Sequence, residues 1–311
     1  MMKEYISLFL EKTKIPQYLS KLLLEQYDKI SAHEDQVKEL SEFETRFWNC
    51  HSVQEIFQLE KSIKSFADKY QYEFEIVQAL CYVMWSEKTR GMYQERQISE
   101  EVFWNSMSDL RSQLLDQESS YGRVGLSSAG WFWRFLRLDR IKLGRFEYEI
   151  DGCHFSRLKQ WRGVPLPEGD SVMLHIPSGE SMTEEKRIDS YKQAYDYFQG
   201  FRMENGWLPL YIETWMLYPK IVELFSAGSN LLDFAHEFVI LESKEYNTYG
   251  ELWRVFGGNR DYSKPDELPQ NTSLQRRFVE YIKKGGKIGD GVGMLIFDGE
   301  KVITKNSTKD E

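Results

Sequence analysis

The residues with most to offer chemically lie between Val172 and Thr183. Val172 to Gly179 reads Val-Met-Leu-His-Ile-Pro-Ser-Gly, and the residues after Thr183 open an amphipathic helix. The pattern predicts a strand that stops at Pro177, a short polar loop and a helix start. In layered α/β folds that junction presents unpaired N–H groups and the positive end of a helix dipole, which suits an anionic ligand. Ile176, Pro177, Ser178, Gly179, Glu180, Ser181, Met182 and Thr183 are therefore the candidate cradle for a pyrophosphate, with Thr183 as helix N-cap. Glu184 and Glu185 follow at once; they complement the dipole themselves and repel a phosphate. His175, near the end of the predicted strand, suits a general base or a group that positions an acyl carbonyl. A sheet histidine satisfied by a neighbouring carboxylate is the structural alternative.

Two further side chains join this set. Glu213 stands inside the apolar run Leu210 to Leu217, sharing a face with Tyr211 and Trp215 by strand periodicity. In a cleft, burial would raise its pKa toward that of a useful base; on a solvent face it would only pair with a cation. Tyr218, just before Pro219, is placed to protonate a leaving thiolate or to stack at a helix entry. His154 is a weaker candidate base. Cys50, Cys81 and Cys153 are widely spaced and form no metal-ligand pattern, so no metal is expected. A hydrolase built on His154 or His175 lacks a nucleophile motif, and neither a dinucleotide fingerprint nor a P-loop is present.

These residues need elements to hold them. At 311 residues the chain has room for about two domains. Apolar residues at helical spacing run through residues 1–118 and predict a helical bundle. Ser52 with Glu55 has the spacing of a capping box, and Ser99 caps a helix expected to run through Leu114. The polar stretch Gln117 to Ser128 marks a boundary, giving domains of 1–118 and 119–311. Beyond it, Trp131 to Leu138 predicts a helix lying against a sheet, with Arg134, Arg137 and Arg140 snorkelling at its edge. Strands are expected at Gly144 to Ile150, Val172 to Ile176, Leu210 to Leu217, Phe234 to Leu241 and Gly291 to Phe297. Helices fall at Thr183 to Gln199, Lys220 to Phe225 and Leu274 to Lys284, and Ser229 and Asn230 form a turn. The glycines from Gly285 to Gly293 follow a helix and open a strand, which suits close approach to a neighbour. The class is α+β, with strands and helices layered and part of the sheet parallel.

With 40 basic and 49 acidic residues the net charge is −9, so a global nucleic-acid footprint is absent. No signal peptide or membrane-spanning run is evident, and the cysteine pattern fits free thiols in a reducing cytoplasm.

Five segments form an ordered set: Gly130-Trp131 with Leu143 to Glu149; Leu174 to Gly179; Glu213 to Pro219; Ser229 to Leu232; and Leu268 to Arg276. Across essentially the whole chain this set resembles a bacterial family of acyltransferase-domain proteins. That family pairs a helical N-terminal acyltransferase-associated domain with a C-terminal domain like the GCN5-related N-acyltransferases (GNAT-like). The resemblance implies a GNAT-like mixed sheet over about residues 121–305, an acyl-CoA donor and an amine acceptor, either a small molecule or a peptide. GNAT enzymes hold the CoA pyrophosphate on a Gln/Arg-x-x-Gly-x-Gly/Ala loop; the corresponding stretch here, Pro177 to Met182, has one glycine. On GNAT chemistry Glu213 or His175 would remove a proton from the amine and Tyr218 would protonate the thiolate. The competing expectation is a binding or regulatory protein that keeps the fold without catalysis.

Overall fold

A computed structural model describes residues 1–126, 129–151, 158–258 and 260–307. Cys153 and His154 lie outside the described residues. The chain divides into two compact units, Met1–Lys142 and Leu143–Glu311.

The first unit is helical: α1 (Met2–Lys12), α2 (Gln17–Ser31), α3 (Glu34–Trp48), α4 (Val53–Tyr70), α5 (Phe74–Glu95), α6 (Glu100–Met107), α7 (Asp109–Tyr121) and α8 (Ala129–Leu136). The capping box is present as expected: the Ser52 hydroxyl accepts from the Glu55 N–H, and the Glu55 carboxylate accepts from the Ser52 N–H. α5 is buried nearly all round, and α1, α2, α4 and α8 pack on it. The helix begun at Ser99 is broken at Ser108 into α6 and α7. Residues 117–126 of the polar stretch expected to mark the boundary belong to this unit, where the Leu126 N–H donates to the Glu75 carbonyl. α8 packs against α4 and α5. Its aromatic density reads equally well as a sheet-facing or a helix-facing stripe, and only the partner distinguishes them. No described helix is long and apolar enough to cross a membrane.

The second unit is built on a mixed sheet. Its elements are β1 (Arg140–Leu143, on which the boundary falls), β2 (Phe146–Asp151), β3 (Gln160–Trp161), β4 (Val164–Pro165), β5 (Ser171–His175), α9 (Glu184–Tyr197), β6 (Leu208–Thr214), α10 (Pro219–Val222), α11 (Asn230–Ala235), β7 (Val239–Glu245), α12 (Trp253–Phe256), α13 (Ser273–Lys283) and β8 (Gly289–Phe297). The strand order is β1-β2-β5-β6-β8-β7, and β3-β4 form a separate hairpin. Only β5 and β6 are shown pairing in parallel; β2–β5, β6–β8 and β8–β7 are antiparallel.

Three expected elements differ. Ser229 and Asn230 are not a plain turn: the Ser229 hydroxyl accepts from the Leu232 N–H and caps α11. The strand expected from Phe234 begins only at Val239, because Phe234 and Ala235 complete that helix. β6 likewise ends at Thr214, and Trp215–Leu217 turn into a single 3-10 turn before Pro219 opens α10 at N1.

That turn lies on the glycines of β8. A Cβ at Gly291 would overlap the Leu217 carbonyl, and one at Gly293 would overlap the Leu217 side chain. The close approach expected of these glycines is made by backbone at Gly291 and by side chains at Gly293. Gly291→Ala should destabilise the protein by about 1–3 kcal/mol through overpacking. An unchanged thermal unfolding midpoint would show that the 3-10 turn can lift off the strand.

Candidate active site

The register assigns the side chains of the sheet to its two faces, since directly paired residues point the same way. Tyr148, Val172, Leu174, Leu210 and Leu295 share the face that receives the apolar side of α9, where Tyr191 stacks on Phe146 and Ser190 bonds Tyr148. The opposite face is polar at one end. It carries Glu147, Glu149 and Asp151 from β2, His175 from β5, and Tyr211 and Glu213 from β6. At the other end Trp161 of the β3–β4 hairpin joins Tyr211, Met294 and Ile296 in an apolar cluster.

The ladder between β5 and β6 is short. Only Val172–Leu210 and Met173–Tyr211 pair. Both strands continue: β5 stays on β2 through His175–Glu147, and β6 stays on β8 through Thr214–Gly291. Beyond Met173 the central strands make no further pair with one another, each being held by its own outer neighbour. This break in the pairing, referred to below as the slot, lies toward their C-terminal ends.

His175 flanks the slot. Its Nε2 lies 3.0 Å from Oε1 of Glu149, and both side chains are largely buried. The carboxylate at Nε2 holds the orientation of the ring. The carboxylate also stabilises the imidazolium that forms on proton uptake. Glu213, on the same face of β6, is exposed rather than enclosed. Tyr211 beside it is buried, and its phenol donates to Asp151 at 3.2 Å. Burial raises the Tyr211 pKa, and the charges of Asp151, Glu149 and Glu213 add to the effect. Further along β8, Tyr246 donates to Asp290 at 2.6 Å. Burial raises the Asp290 pKa against that bond.

Tyr218 points elsewhere. Its hydroxyl donates to Oε2 of Glu245 on β7 at 2.8 Å, and Lys220 Nζ reaches the same oxygen at 2.8 Å. Burial, followed by the Glu245 bond, raises the Tyr218 pKa and holds its proton. Bonds from Lys220 and Tyr218 depress the Glu245 pKa to about 2. Because the folded pKa is lowered, the linkage favours the folded state above the ordinary carboxylate range and is lost as pH falls toward 2. Carbon-13 titration of Glu245 should give a midpoint near 2, and Lys220→Met should bring it back up. A midpoint in the ordinary range in the unsubstituted protein would refute this ion pair.

The loop from Ile176 to Thr183 connects β5 to α9, as expected. Arg145 donates from Nη2 to the Glu180 carbonyl at 3.0 Å and from Nε to the Ser181 carbonyl at 3.2 Å. Arg187, fully buried in α9, donates from Nη1 to the Met182 carbonyl. It also pairs with Glu237 at 2.9 Å. Thr183 occupies the N-cap position of α9, but its hydroxyl makes no cap bond.

The structure thus brings His175, Glu213 and the loop to one strand pair and directs Tyr218 to β7. Sequence reasoning missed Glu149, Asp151, Tyr211, Asp290 and the loop-binding arginines. The period-two spacing of Glu147, Glu149 and Asp151 is a visible signal for one polar strand face. What that face meets depends on register, which the sequence does not display.

Residues 4–138 match the family model of the N-acyltransferase N-terminal domain, and residues 141–295 match that of the GNAT-like C-terminal domain. Among solved structures, the chain is similar to an acyltransferase in complex with decanoyl-CoA and teicoplanin. The two are 18% identical with a TM-score of 0.68, over 92% of this chain and 86% of that one. It is also similar to a mutant acyltransferase in complex with octanoyl-CoA, again 18% identical with a TM-score of 0.68, over 94% of this chain and 87% of that one. At this identity the likeness is one of fold. No curated protein matches the sequence. The two matched domains follow one another over nearly the whole chain, which belongs to the family of two-domain N-acyltransferases with a GNAT-like C-terminal domain.

Proposed function

We propose that this protein transfers an acyl group from acyl-CoA to an amine. The observation that carries this reading is the parting of β5 and β6 after two residue pairs. A pantetheine arm has amides and carbonyls that can add to exposed strand edges, and the slot offers such edges on both sides. The adjoining loop and helix start suit the diphosphate.

The thioester supplies an electrophilic carbon; a C–N bond forms there as the C–S bond breaks. The residues of this chain orient the reactants and move protons. His175, held by Glu149, takes the proton from the attacking amine, directly or through water. Amides at the end of β5 face the slot and stabilise the thioester oxygen as it gains charge. Glu213 sits across the slot on the same face and draws the acceptor in by its charge. With Glu149, Asp151 and Asp290 nearby, that face favours a cationic amine. Tyr218 is turned to Glu245 on β7 and away from the slot, so the departing thiolate takes its proton from water or from the His175 imidazolium.

Thermal-shift titration with CoA, acetyl-CoA, octanoyl-CoA and decanoyl-CoA tests the donor. Ligand at 100 times Kd adds about 2.7 kcal/mol of stability, whereas no shift with any member removes the donor assignment. Thiol release with a panel of amines then tests transfer. Acyl-CoA binding without release from any amine is the result expected of a non-catalytic binding protein.

A further inference from the structure

We propose that the outer edge of β7 pairs antiparallel with the same edge of a second copy of this chain, about a two-fold axis at Ser243.

β7 is the last strand of the six-stranded sheet and is bonded to β8 alone. The register pairs Glu242 with Val292, Ser243 with Gly291, Lys244 with Asp290 and Glu245 with Gly289. The Tyr246 N–H continues it onto the Ile288 carbonyl at 2.8 Å. In an antiparallel ladder bonded pairs alternate with unbonded ones. Tyr246, Lys244 and Glu242 therefore turn their peptide groups to β8, while Ser243 and Glu245 turn theirs outward. Glu242 to Glu245 are all exposed, and no described residue bonds the outward groups of Ser243. An exposed edge of this kind is a template for another strand.

The charges on the edge choose that strand. Glu242 and Lys244 flank Ser243 and share the polar face with Glu213. A two-fold axis at Ser243 joins the outward groups of Ser243 in both copies as a bonded pair. It also sets Glu242 directly opposite the partner's Lys244, twice over. Unlike charges directly across an antiparallel pair are favourable, and like charges are not. Other registers fail. Moving the axis by half a residue sets outward peptides against inward ones. Moving it by one residue sets Lys244 against the partner's Lys244, or Glu242 against the partner's Glu242. Charges on an edge strand ordinarily prevent pairing; here their alternating signs admit one register. Lys244 has no carboxylate partner among the described residues of its own chain, and its Nζ lies 5.6 Å from the centre of the Tyr246 ring. The axis is perpendicular to the sheet, so both copies present His175 and Glu213 on the same side of one continuous sheet. Pairing over so few residues buries less than the roughly 1,600 Å² of a standard interface, so the association belongs to the weak, concentration-dependent class.

Sedimentation velocity over a rising series of protein concentrations tests this. The unsubstituted protein should move from monomer toward dimer. Glu242→Lys and Lys244→Glu each set like charges opposite one another and should weaken self-association at least about tenfold. An equimolar mixture of the two variants should restore the dimer, because each then meets the opposite sign. A mixture that stays monomeric, a single variant that associates as the original does, or an unsubstituted protein that is monomeric throughout overturns the inference. Both positions are exposed, so the variants should keep the original unfolding midpoint. If one does not fold, hydrogen exchange of the unsubstituted protein decides. Protection of the Ser243 and Glu245 amides should rise with protein concentration. Protection that is constant means that the same chain covers the edge, and protection that never develops means that the edge stays open; either result overturns the pairing.

Discussion

Replacing His175 with alanine should lower turnover by about 10²–10⁴-fold, the usual contribution of a positioned general base, while leaving acyl-CoA affinity and the unfolding midpoint nearly unchanged. The side chain stands where the β5–β6 ladder ends, 3.0 Å from Glu149. Glu149→Gln should follow at a smaller loss, because the amide still orients the ring but no longer stabilises the imidazolium. The two effects should not add, since Glu149 acts through His175. A pH–rate profile separates this role from a structural one. The acid limb of kcat/KM should vanish in His175→Gln and persist, displaced, in Glu149→Gln. Alanine at Glu213 is the companion control: exposed on the facing strand, it should raise KM for a cationic acceptor more than it lowers kcat. Unchanged turnover in both His175→Ala and Glu213→Ala would retire the chemical scheme and leave acyl-CoA binding alone.

The largest effect on stability should come from Glu237. Arg187 and Glu237 are 0% and 1% exposed, and the guanidinium meets the carboxylate through Nε and Nη2 at 2.9–3.2 Å. Tyr191 donates to the same carboxylate at 2.8 Å, and Thr304 donates to the Glu237 backbone carbonyl at 2.7 Å. Burial of the carboxyl tends to raise its pKa, and the Arg187 bonds oppose that. Glu237→Ala strands a charged guanidinium in the interior. It should cost about 3–5 kcal/mol, the range for breaking a buried pair from one side. Replacing both partners, Arg187→Met with Glu237→Leu, should recover much of this, since the desolvation cost disappears with the charges. Because Arg187 also holds the Met182 carbonyl, the double variant should fold yet bind CoA less tightly than the unsubstituted protein. A Glu237→Ala protein with an unfolding free energy within about 1 kcal/mol of the original would mean that water or another acceptor reaches Arg187, against its burial.

The sequence by itself determined the local elements and their kinds. Ser52–Glu55 capping, the strand that stops at Pro177, the helix opened after Thr183 and the glycines of the last strand are all short-range statements. Caps, proline geometry and apolar period act within a few residues, so they are legible without a partner. The ordered motif set also points to the two-domain acyltransferase family, and the same short-range signals mark His175 and residues 176–183 as candidates. Where such signals compete, the reading failed: Phe234 extends a helix capped by Ser229, although its apolar run suits a strand. Tertiary structure alone decided which surfaces meet. It set α8 against α4 and α5, because an aromatic stripe does not name its partner. It brought Glu149 to His175 across the β2–β5 register, turned Tyr218 toward Glu245, and placed Arg145 and Arg187 on carbonyls of the loop between β5 and α9. It also ended the β5–β6 ladder after two pairs, since strand separation depends on hydrogen bonds to the outer neighbours, and no local preference of either strand encodes that.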